Sequence, residues 1–547
     1  MKMPPDRHAD IWNQPPPLAD YDAFSTDPAL PAILKVHDAD WARESVAATG
    51  RTTGSAHVQA LARQADRNPP ELRTHDRFGN RIDQVEFHPA WHELMGLAFG
   101  QGVHAFGWRN PRPGGQVARS AIDYLWNQAE NGICCPAAMT FASIPVIRQN
   151  ADVAARWEPL LLSTDYDPAQ GHSAAKTGAT AGMAMTERQG GSDLRQTATE
   201  ARPAGDGLFA IDGAKWFFSV PHSDLILTLA RTAAGVSCFA VPGWLDDGSR
   251  NGIFIQRLKE KCGNRSNASS EIEFRGALGT LVGEEGSGIR TIIEMAQHTR
   301  IDCAIGSAAL MRQATAQAAH HAAHRRAFQK TLIDQPAMRA VIADLSLEAE
   351  AAAWLAFRFA ATLDRRDDES EAALSRIGAP IAKYWICKRT PAVVAEALEC
   401  HGGNGYIEDH LMARLYREAP LNGIWEGSGN VICLDVLRAL GRESAALPAL
   451  LAELERARGS NPVYDNLVSD LPDTVAALAR DEAQARRLVS LLARLLAAAQ
   501  LIRHAPHPIA DAYVASRLGE AASGQLGDLP AGVDAEALAC RAVPMLS

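Results

Sequence analysis

The stretch that decides the fold is Met185-Thr-Glu-Arg-Gln-Gly-Gly-Ser-Asp193, which places a hydroxyl, a double glycine and a Ser-Asp pair at the end of a predicted strand. Glycines let the backbone approach a bound group closely, and successive N–H groups in such a turn attract anions. A second stretch, Lys215-Trp-Phe-Phe-Ser219, adds aromatic rings and another hydroxyl. Either stretch alone could equally be a turn or a core segment. Together, in a strand context, they predict a cofactor site.

Short runs of β-branched and aromatic residues surround these two stretches. The runs are residues 208–211, 216–220, 225–229, 237–241, 253–255 and 271–274, and turn signals such as Asp212-Gly213, Asp247-Gly248 and Asn251-Gly252 separate them. Runs of strand length punctuated by glycine-containing turns indicate antiparallel strands. We therefore predict a small antiparallel sheet domain over residues 181–290.

Helical periodicity flanks this sheet on both sides. Residues 91–99 and 118–128 repeat apolar positions at spacings of three and four, and residues 301–328 and 338–363 are long and rich in alanine. Such spacing gives each helix one apolar face for packing. The predicted fold is multidomain α+β, with an extended proline-rich arm (1–50), a helical domain (51–180), the sheet domain (181–290), a helical bundle (291–440) and further helices (441–547).

The composition is that of a globular protein and excludes several classes of function. The 547 residues are too many for one core, and 54 basic against 64 acidic residues give a formal charge of −10, so the surface as a whole does not attract nucleic acid or anionic lipid. The nine cysteines show no metal-ligand spacing, and we expect reduced thiols and no bound metal. Residues 1–10 lack the apolar core of a signal peptide and no apolar run is long enough to span a membrane. We expect a cytoplasmic protein.

Three segments downstream carry polar residues that the sheet does not explain. They are His324-Arg-Arg-Ala-Phe-Gln329 with Gln335, Glu399-Cys-His-Gly-Gly-Asn-Gly-Tyr406, and Ile424-Trp-Glu-Gly-Ser-Gly-Asn430. The second is not a dinucleotide-binding glycine loop, because it follows a helical run and lacks the full spacing. In the third, Glu426 is suited to act as a base, since burial raises the basicity of a carboxylate. An ordinary acid at a helix N-terminus is the alternative for Glu426.

With these segments in this order, the sequence resembles the acyl-CoA dehydrogenases, which have an N-terminal helical domain, a middle β-barrel-like domain and a C-terminal helical bundle. The resemblance implies bound FAD, with Glu426 removing the proton α to the acyl thioester while hydride leaves the β carbon for the flavin. Some members carry the base on an earlier helix, at the position before Arg300. That position is Thr299 here, so the base is Glu426 or absent.

The same resemblance implies a set of FAD contacts from two subunits. The segment of Arg325, Phe328 and Gln335 reaches the adenosine end of FAD in a neighbouring subunit, and the position of Glu399 meets the pyrophosphate. The other FAD contacts implied are Met185, Thr186, Gly191, Ser192, Phe217, Ser219, Gly402, Gly403, Ser428 and Asn430. Glu399 stands where the family usually has Gln, which leaves a carboxylate in place of an amide.

The resemblance narrows to the AidB branch, the flavoproteins of the adaptive response to alkylation. The proline-rich arm, the string Gly263-Asn-Arg-Ser-Asn-Ala268 and the long tail after Asn430 carry it. It implies a homotetramer with FAD and weak acyl-CoA dehydrogenase activity of the isovaleryl-CoA type. It also implies association with double-stranded DNA through the additional C-terminal helices, protecting the DNA against alkylation.

The distribution of charge in the tail supports the expected DNA association at one place. Within residues 483–510, Arg486, Arg487, Arg494 and Arg503 occur without any acid, a stripe suited to neutralising DNA phosphates. An amphipathic helix with a solvated charged face explains the same pattern, and the arginines interrupt the apolar face too often to favour a membrane contact. Two functions therefore stay open: a DNA-associated flavoprotein, or a metabolic short- or branched-chain acyl-CoA dehydrogenase that passes electrons to an electron-transfer flavoprotein.

Overall fold

A computed structural model describes residues 13–520 and 523–544, so the segment 1–10 that argued against a signal peptide, and the start of the predicted arm, lie outside the described residues. The first domain comprises α1 (Leu30–Val36), α2 (Arg43–Thr53), α3 (Ala56–Arg67), β1 (Glu71–His75), β2 (Arg81–Glu86), α4 (Pro89–Gly100), α5 (Phe106–Arg109), α6 (Gly115–Ala129), α7 (Asn131–Ile147) and α8 (Ala151–Leu161). The region predicted as an extended arm thus contains two helices, because Leu30, Ile33 and Leu34 form a buried apolar face. The β1–β2 hairpin was not predicted.

A seven-stranded sheet lies where a small antiparallel sheet was predicted, but its pairing is mixed, because residues 181–184 pair in parallel with residues 225–228. Its strands are β3 (Ala181–Thr186), β4 (Glu200–Gly205), β5 (Leu208–Phe218), β6 (Leu225–Thr232), β7 (Gly235–Pro242), β8 (Ile253–Leu258) and β9 (Ser270–Val282), in the order β3-β5-β4-β6-β7-β9-β8. Further pairings, β3 with β6 and β5 with β9, close the sheet into a barrel-like ring. The predicted turn at Asp212-Gly213 is wrong: the pair lies inside β5, where the register with β9 shifts and the strand continues through a bulge.

The second helical unit is built on three long helices. Its elements are α9 (Gly288–His324), β10 (Arg326–Ala327), β11 (Lys330–Thr331), α10 (Pro336–Ala360), α11 (Glu369–Glu399), α12 (Gly403–Tyr406), α13 (Leu411–Glu418) and α14 (Gly429–Arg442). Many alanines along α9 and α10 are fully buried, which allows close approach of the helix axes. The helix predicted to reach residue 328 ends at His324, where a tight hairpin begins.

The last helices pack onto this bundle through buried ion pairs. They are α15 (Ala446–Glu455), α16 (Pro462–Ser469), α17 (Leu471–Leu478), α18 (Ala485–His504), α19 (His507–Arg517) and α20 (Ala535–Ala542), and we call residues 442–544 the C-terminal extension. Glu453 of α15 lies 2.8 Å from the Arg358 guanidinium of α10, and Arg503 of α18 contacts the same carboxylate at 3.3 Å. Arg517 of α19 pairs with Asp344 and Glu348 of α10. None of the helices in the described part of the chain combines the length and the apolar character needed to cross a membrane.

Candidate functional site

Glu426 lies in a strained turn between α13 and α14. Its φ of +56° is in the left-handed region, which a non-glycine residue rarely adopts, and Gly427 follows at +101°. Lys383 of α11 is buried, and its Nζ donates to the carbonyl oxygens of Trp425 and Gly427 at 2.8 and 2.5 Å. The lysine therefore holds the turn from both sides of Glu426.

The carboxylate of Glu426 has the environment of a general base. Burial raises its pKa, while the hydroxyl of Thr299 and the charges of Lys383 and Arg300 act in the opposite direction. Thr299 Oγ1 donates to Glu426 Oε2 at 2.7 Å. The position that carries the base in some relatives thus supplies a hydrogen bond to Glu426. A carboxylate with raised basicity, oriented by a fixed donor, is suited to proton abstraction.

The tryptophan before Glu426 is also fixed. Trp425 is partly buried, and its Nε1 donates to Asn422 Oδ1 at 2.7 Å. The indole is therefore held in one orientation next to Glu426 in the chain.

The two stretches that first indicated a cofactor meet in the sheet. Thr186, at the end of β3, pairs with Phe217 near the end of β5, so the hydroxyl and the aromatic wall are neighbours. Ser219 lies two residues after Phe217, and Met185 directly precedes Thr186. A Cβ on Gly191 would lie 2.5 Å from Thr186 Oγ1, which explains the glycine.

Phe217 and Ser192 remain open to a ligand. The Phe217 ring is 52% exposed, with Lys259 Nζ 4.4 Å from its centroid, and Ser192 is exposed on the adjoining loop. Farther along the loop that carries Lys259 lies Lys261. Burial raises the pKa of the Cys135 thiol, and the charges of Lys261 and Glu426 act on it in opposite directions.

A buried ion pair fixes the two strands relative to each other. Lys215 Nζ lies 2.7 Å from Glu187 Oε1, and the same carboxylate oxygen accepts from Thr199 Oγ1 at 2.6 Å. Burial by itself would raise the pKa of Glu187, but Lys215 and these hydrogen bonds lower it to about 2. Both residues are within motifs that the sequence singled out, yet their role is to hold the site together.

Of the residues expected to reach a neighbouring subunit, Phe328 lies on the β10–β11 hairpin, Arg325 directly precedes it and Gln335 follows it at the start of α10. Phe328 and Gln329 form the turn of the hairpin, both with positive φ, and the Phe328 ring is 93% exposed. Gln335 Nε2 donates to the Ala327 carbonyl at 3.1 Å, which braces the hairpin. Arg325 donates to the carbonyl of Asn13. An exposed aromatic ring at the tip of a braced hairpin is suited to insertion into a partner.

The predicted pyrophosphate loop lies beside this hairpin. Glu399 is the exposed last residue of α11, and an added Cβ on Gly402 or Gly403 would meet open space. Gln14 accepts from Asn404 at 2.8 Å, next to the Asn13 carbonyl bound by Arg325. Residues 13 and 14 therefore connect the hairpin region with the glycine loop.

The four arginines of the predicted DNA stripe do not share an exposed face. Arg486 and Arg487 are exposed, but Arg494 donates to the Arg517 carbonyl at 2.7 Å and Arg503 contacts Glu453. Helical spacing could not reveal these partners, because they lie on other elements. Arg486 is also engaged: its Nε donates to Asn430 Oδ1 at 2.7 Å, beside the exposed Ser428.

Sequence reasoning missed one residue of the site, Lys383, and one contact, that of Arg486 with Asn430. Lys383 ends the run Gly378-Ala-Pro-Ile-Ala-Lys383, and a single lysine in so apolar a helix segment was a usable signal. Across residues 13–520 and 523–544, no group of three or more His, Cys, Asp or Glu side chains is arranged to hold a metal ion.

Comparison with protein families gives three matches along the chain. Residues 13–168 match the N-terminal domain of the adaptive response protein AidB, residues 182–277 the acyl-CoA dehydrogenase middle domain, and residues 286–441 the acyl-CoA dehydrogenase C-terminal domain. AidB of Escherichia coli is 44% identical over 505 residues, which cover 92% of this chain and 93% of that protein. Acyl-CoA dehydrogenase family member 11 of Caenorhabditis elegans is 28% identical, covering 82% and 78% of the two chains.

Two solved structures resemble this chain in their fold. The crystal structure of Caenorhabditis elegans ACDH-11 in complex with C11-CoA has a TM-score of 0.83 and 25% identity, covering 100% of this chain and 96% of that one. An acyl-CoA dehydrogenase from Bacillus anthracis, complexed with FAD, has a TM-score of 0.63 at 19% identity, covering 79% and 78%. The first of these matches extends over the C-terminal extension as well as the three other domains.

Proposed function

This chain belongs to the AidB branch of the acyl-CoA dehydrogenase family, and from its site we propose that it binds FAD, oxidises short branched acyl-CoA of the isovaleryl type weakly, and protects double-stranded DNA against alkylation. The family is one of oxidoreductases of the acyl-CoA dehydrogenase type. The cofactor, the substrate and the DNA each rest on a separate observation.

Exposed rings and open glycines support FAD as the cofactor. Phe217 and Phe328 expose aromatic rings that a flavin or a partner subunit would cover, and the backbone at Gly402 and Gly403 has free space beside it. These features suit the apolar ring system and the anionic pyrophosphate of FAD. When bound, FAD supplies the acceptor for hydride from the β carbon of the acyl group.

The single observation that carries the dehydrogenase proposal is the environment of Glu426. Its carboxylate has a raised pKa, a fixed hydrogen bond from Thr299 and a backbone held by Lys383. In the proposed reaction Glu426 takes the α proton, two electrons leave with the β hydrogen, and the product is a 2-enoyl-CoA. Trp425 favours short chains by occupying space next to the base.

Anaerobic titration of the FAD-loaded protein with isovaleryl-, butyryl- and octanoyl-CoA tests this proposal through flavin bleaching. We expect reduction by isovaleryl-CoA and much slower reduction by octanoyl-CoA. In Glu426→Gln the rate should fall by about 10²-fold or more, because a positioned general base is lost. Bleaching at the wild-type rate in this variant would contradict the role of Glu426. Rapid turnover with an electron-transfer flavoprotein would favour the metabolic alternative.

DNA association is proposed through the extension and its exposed arginines. Of the four arginines in the stripe, Arg487 has the guanidinium most available to a phosphate, since Arg494 and Arg503 are engaged within the chain. Arg487→Gln should weaken duplex binding without sequence preference and reduce the slope of log K against log salt by roughly 0.9. Arg290→Gln, at an arginine of the helical bundle that is 79% exposed, is the matched control. An unchanged slope in Arg487→Gln would exclude this contact.

Assembly is proposed as a homotetramer in the cytoplasm. The support is the β10–β11 hairpin, whose tip exposes Phe328 and which residues 13 and 14 connect with the glycine loop. Covering this region with a second subunit would bury the ring and complete each FAD site with residues from two chains.

A further inference from the structure

Arg486 links the C-terminal extension to the segment that follows Glu426. It lies in the first turn of α18, and its Nε donates to Asn430 Oδ1 at 2.7 Å. A Cβ built on Gly429 would lie 3.5 Å from the other end of the guanidinium, at Nη2, so the group lies along the backbone of the first turn of α14. The neighbouring Arg487 is exposed.

This contact fixes the orientation of the Asn430 amide. An asparagine side chain has one oxygen that accepts and one nitrogen that donates, and Arg486 occupies the oxygen. The Nδ2 donor is thereby turned away from Arg486 and is available to an acceptor on a ligand. Asn430 is exposed, so a ligand can reach it.

The surroundings of Asn430 are positively charged. The side chain of Lys388 also lies against Gly429, with its Cε 2.8 Å from the same built Cβ. The first turn of α14 adds its free N–H groups, because the N-cap residue Ser428 makes no side-chain capping bond. Two cations and a donor amide beside these N–H groups match an anionic pyrophosphate, and charge-assisted hydrogen bonds to phosphate oxygens are among the strong ones.

We propose that Arg486, supplied by the C-terminal extension, is an FAD-binding residue. It holds the Asn430 amide in the orientation that donates to the cofactor and places positive charge beside the cofactor pyrophosphate. The inference rests on the proposed FAD site. It assigns Arg486 to the cofactor and leaves Arg487 as the arginine of this pair for the proposed DNA contact.

The test compares FAD binding by the apoproteins of the wild type, Arg486→Gln and Arg487→Gln, measured by quenching of flavin fluorescence. Loss of a hydrogen bond that involves a charged group should weaken FAD binding by roughly tenfold to a hundredfold in Arg486→Gln. Arg487→Gln, one residue away, should bind FAD as the wild type does. FAD affinity within about twofold of wild type in Arg486→Gln would overturn the inference.

A double-variant cycle with Asn430→Ala separates positioning from a general loss of stability. If Arg486 acts partly through Asn430, the double variant loses less affinity than the product of the two single losses. Fully multiplicative losses would overturn the positioning role. If Arg486→Gln does not fold, the Asn430→Asp variant is used instead. An aspartate keeps an acceptor for Arg486 but has no side-chain donor, so the affinity for FAD should still fall. Unchanged affinity in Asn430→Asp would overturn the inference. A folded wild type that takes up no FAD would instead refute the proposed function.

Discussion

Replacing Thr299 with valine tests how the surroundings of Glu426 set its basicity. The Thr299 hydroxyl donates to Glu426 Oε2 at 2.7 Å and so stabilises the ionised form, against the burial that raises the pKa. Valine has a similar volume but no hydroxyl. In Thr299→Val the pKa of Glu426 should therefore rise further, and the base should be ionised only at higher pH.

The size of the effect follows from the energy of that one hydrogen bond. Hydrogen bonds to charged groups contribute about 1.5–3 kcal/mol, and about 1.4 kcal/mol corresponds to a factor of ten in an equilibrium. Below the pKa, the ionised fraction of Glu426 and hence the rate of flavin reduction should fall by about tenfold or more. At pH values above the pKa of both proteins, the rate should approach that of the wild type.

The assay is anaerobic stopped-flow reduction of the FAD-saturated protein by isovaleryl-CoA across a range of pH. Thr299→Ser keeps the donor and should restore the acidic limb of the pH profile, while Glu426→Gln gives the floor. A rate that falls equally at every pH would mean that Thr299 affects geometry and not basicity. An unshifted acidic limb in Thr299→Val would refute the reasoning.

Three further changes test other contacts. Arg325→Ala should weaken FAD binding and tetramer formation together, as measured by flavin absorbance across a size-exclusion peak. The control Arg326→Ala, at an exposed arginine, should affect neither property. Loss of only one of the two properties in Arg325→Ala would contradict a site shared between subunits. Lys215→Met leaves buried Glu187 without its cation and should lower the free energy of unfolding in urea by about 3–5 kcal/mol, with partial recovery in the double variant carrying Glu187→Gln. The pKa of Glu453 is lowered to about 2 in the folded chain, although burial alone would raise it. The ionised carboxylate therefore contributes its full stability above roughly pH 5, and this contribution disappears as the pH falls towards 2. The decline of Tm over that range should be shallower in Glu453→Gln, and an equal decline in both proteins would argue against the ion pairs.

The sheet and the family were predictable because local patterns determine them. Alternating apolar runs and glycine turns located the strands, and the motif at residues 185–193 stands at the end of β3. The break at Asp212-Gly213 was wrong because a turn dipeptide is also compatible with a bulge, and only the pairing with β9 distinguishes the two. The β1–β2 hairpin was missed because its strands are largely polar, with few of the apolar residues that mark a buried strand.

The candidate site was predictable in its motifs but not in its contacts. Sequence order identifies Glu426 and Asn430, yet the partners of these residues, Thr299 and Arg486, are more than fifty positions away. The partners of the arginine stripe are also distant in the sequence. Helical spacing describes which residues share a face of α18, but the carboxylate that engages Arg503 belongs to α15.

The ion pairs of the extension also constrain how the sequence can evolve. Arg358 is buried and shares two carboxylates, one of which comes from Glu453. Asp344 is fully buried and its cation, Arg517, comes from α19. A deletion of α19 would leave the buried Asp344 without its cation, so it would survive only alongside a second substitution at Asp344, whereas a deletion of α15 would leave Arg358 paired with Glu371. The extension and the bundle are therefore expected to be inherited, and to melt, as a single cooperative unit.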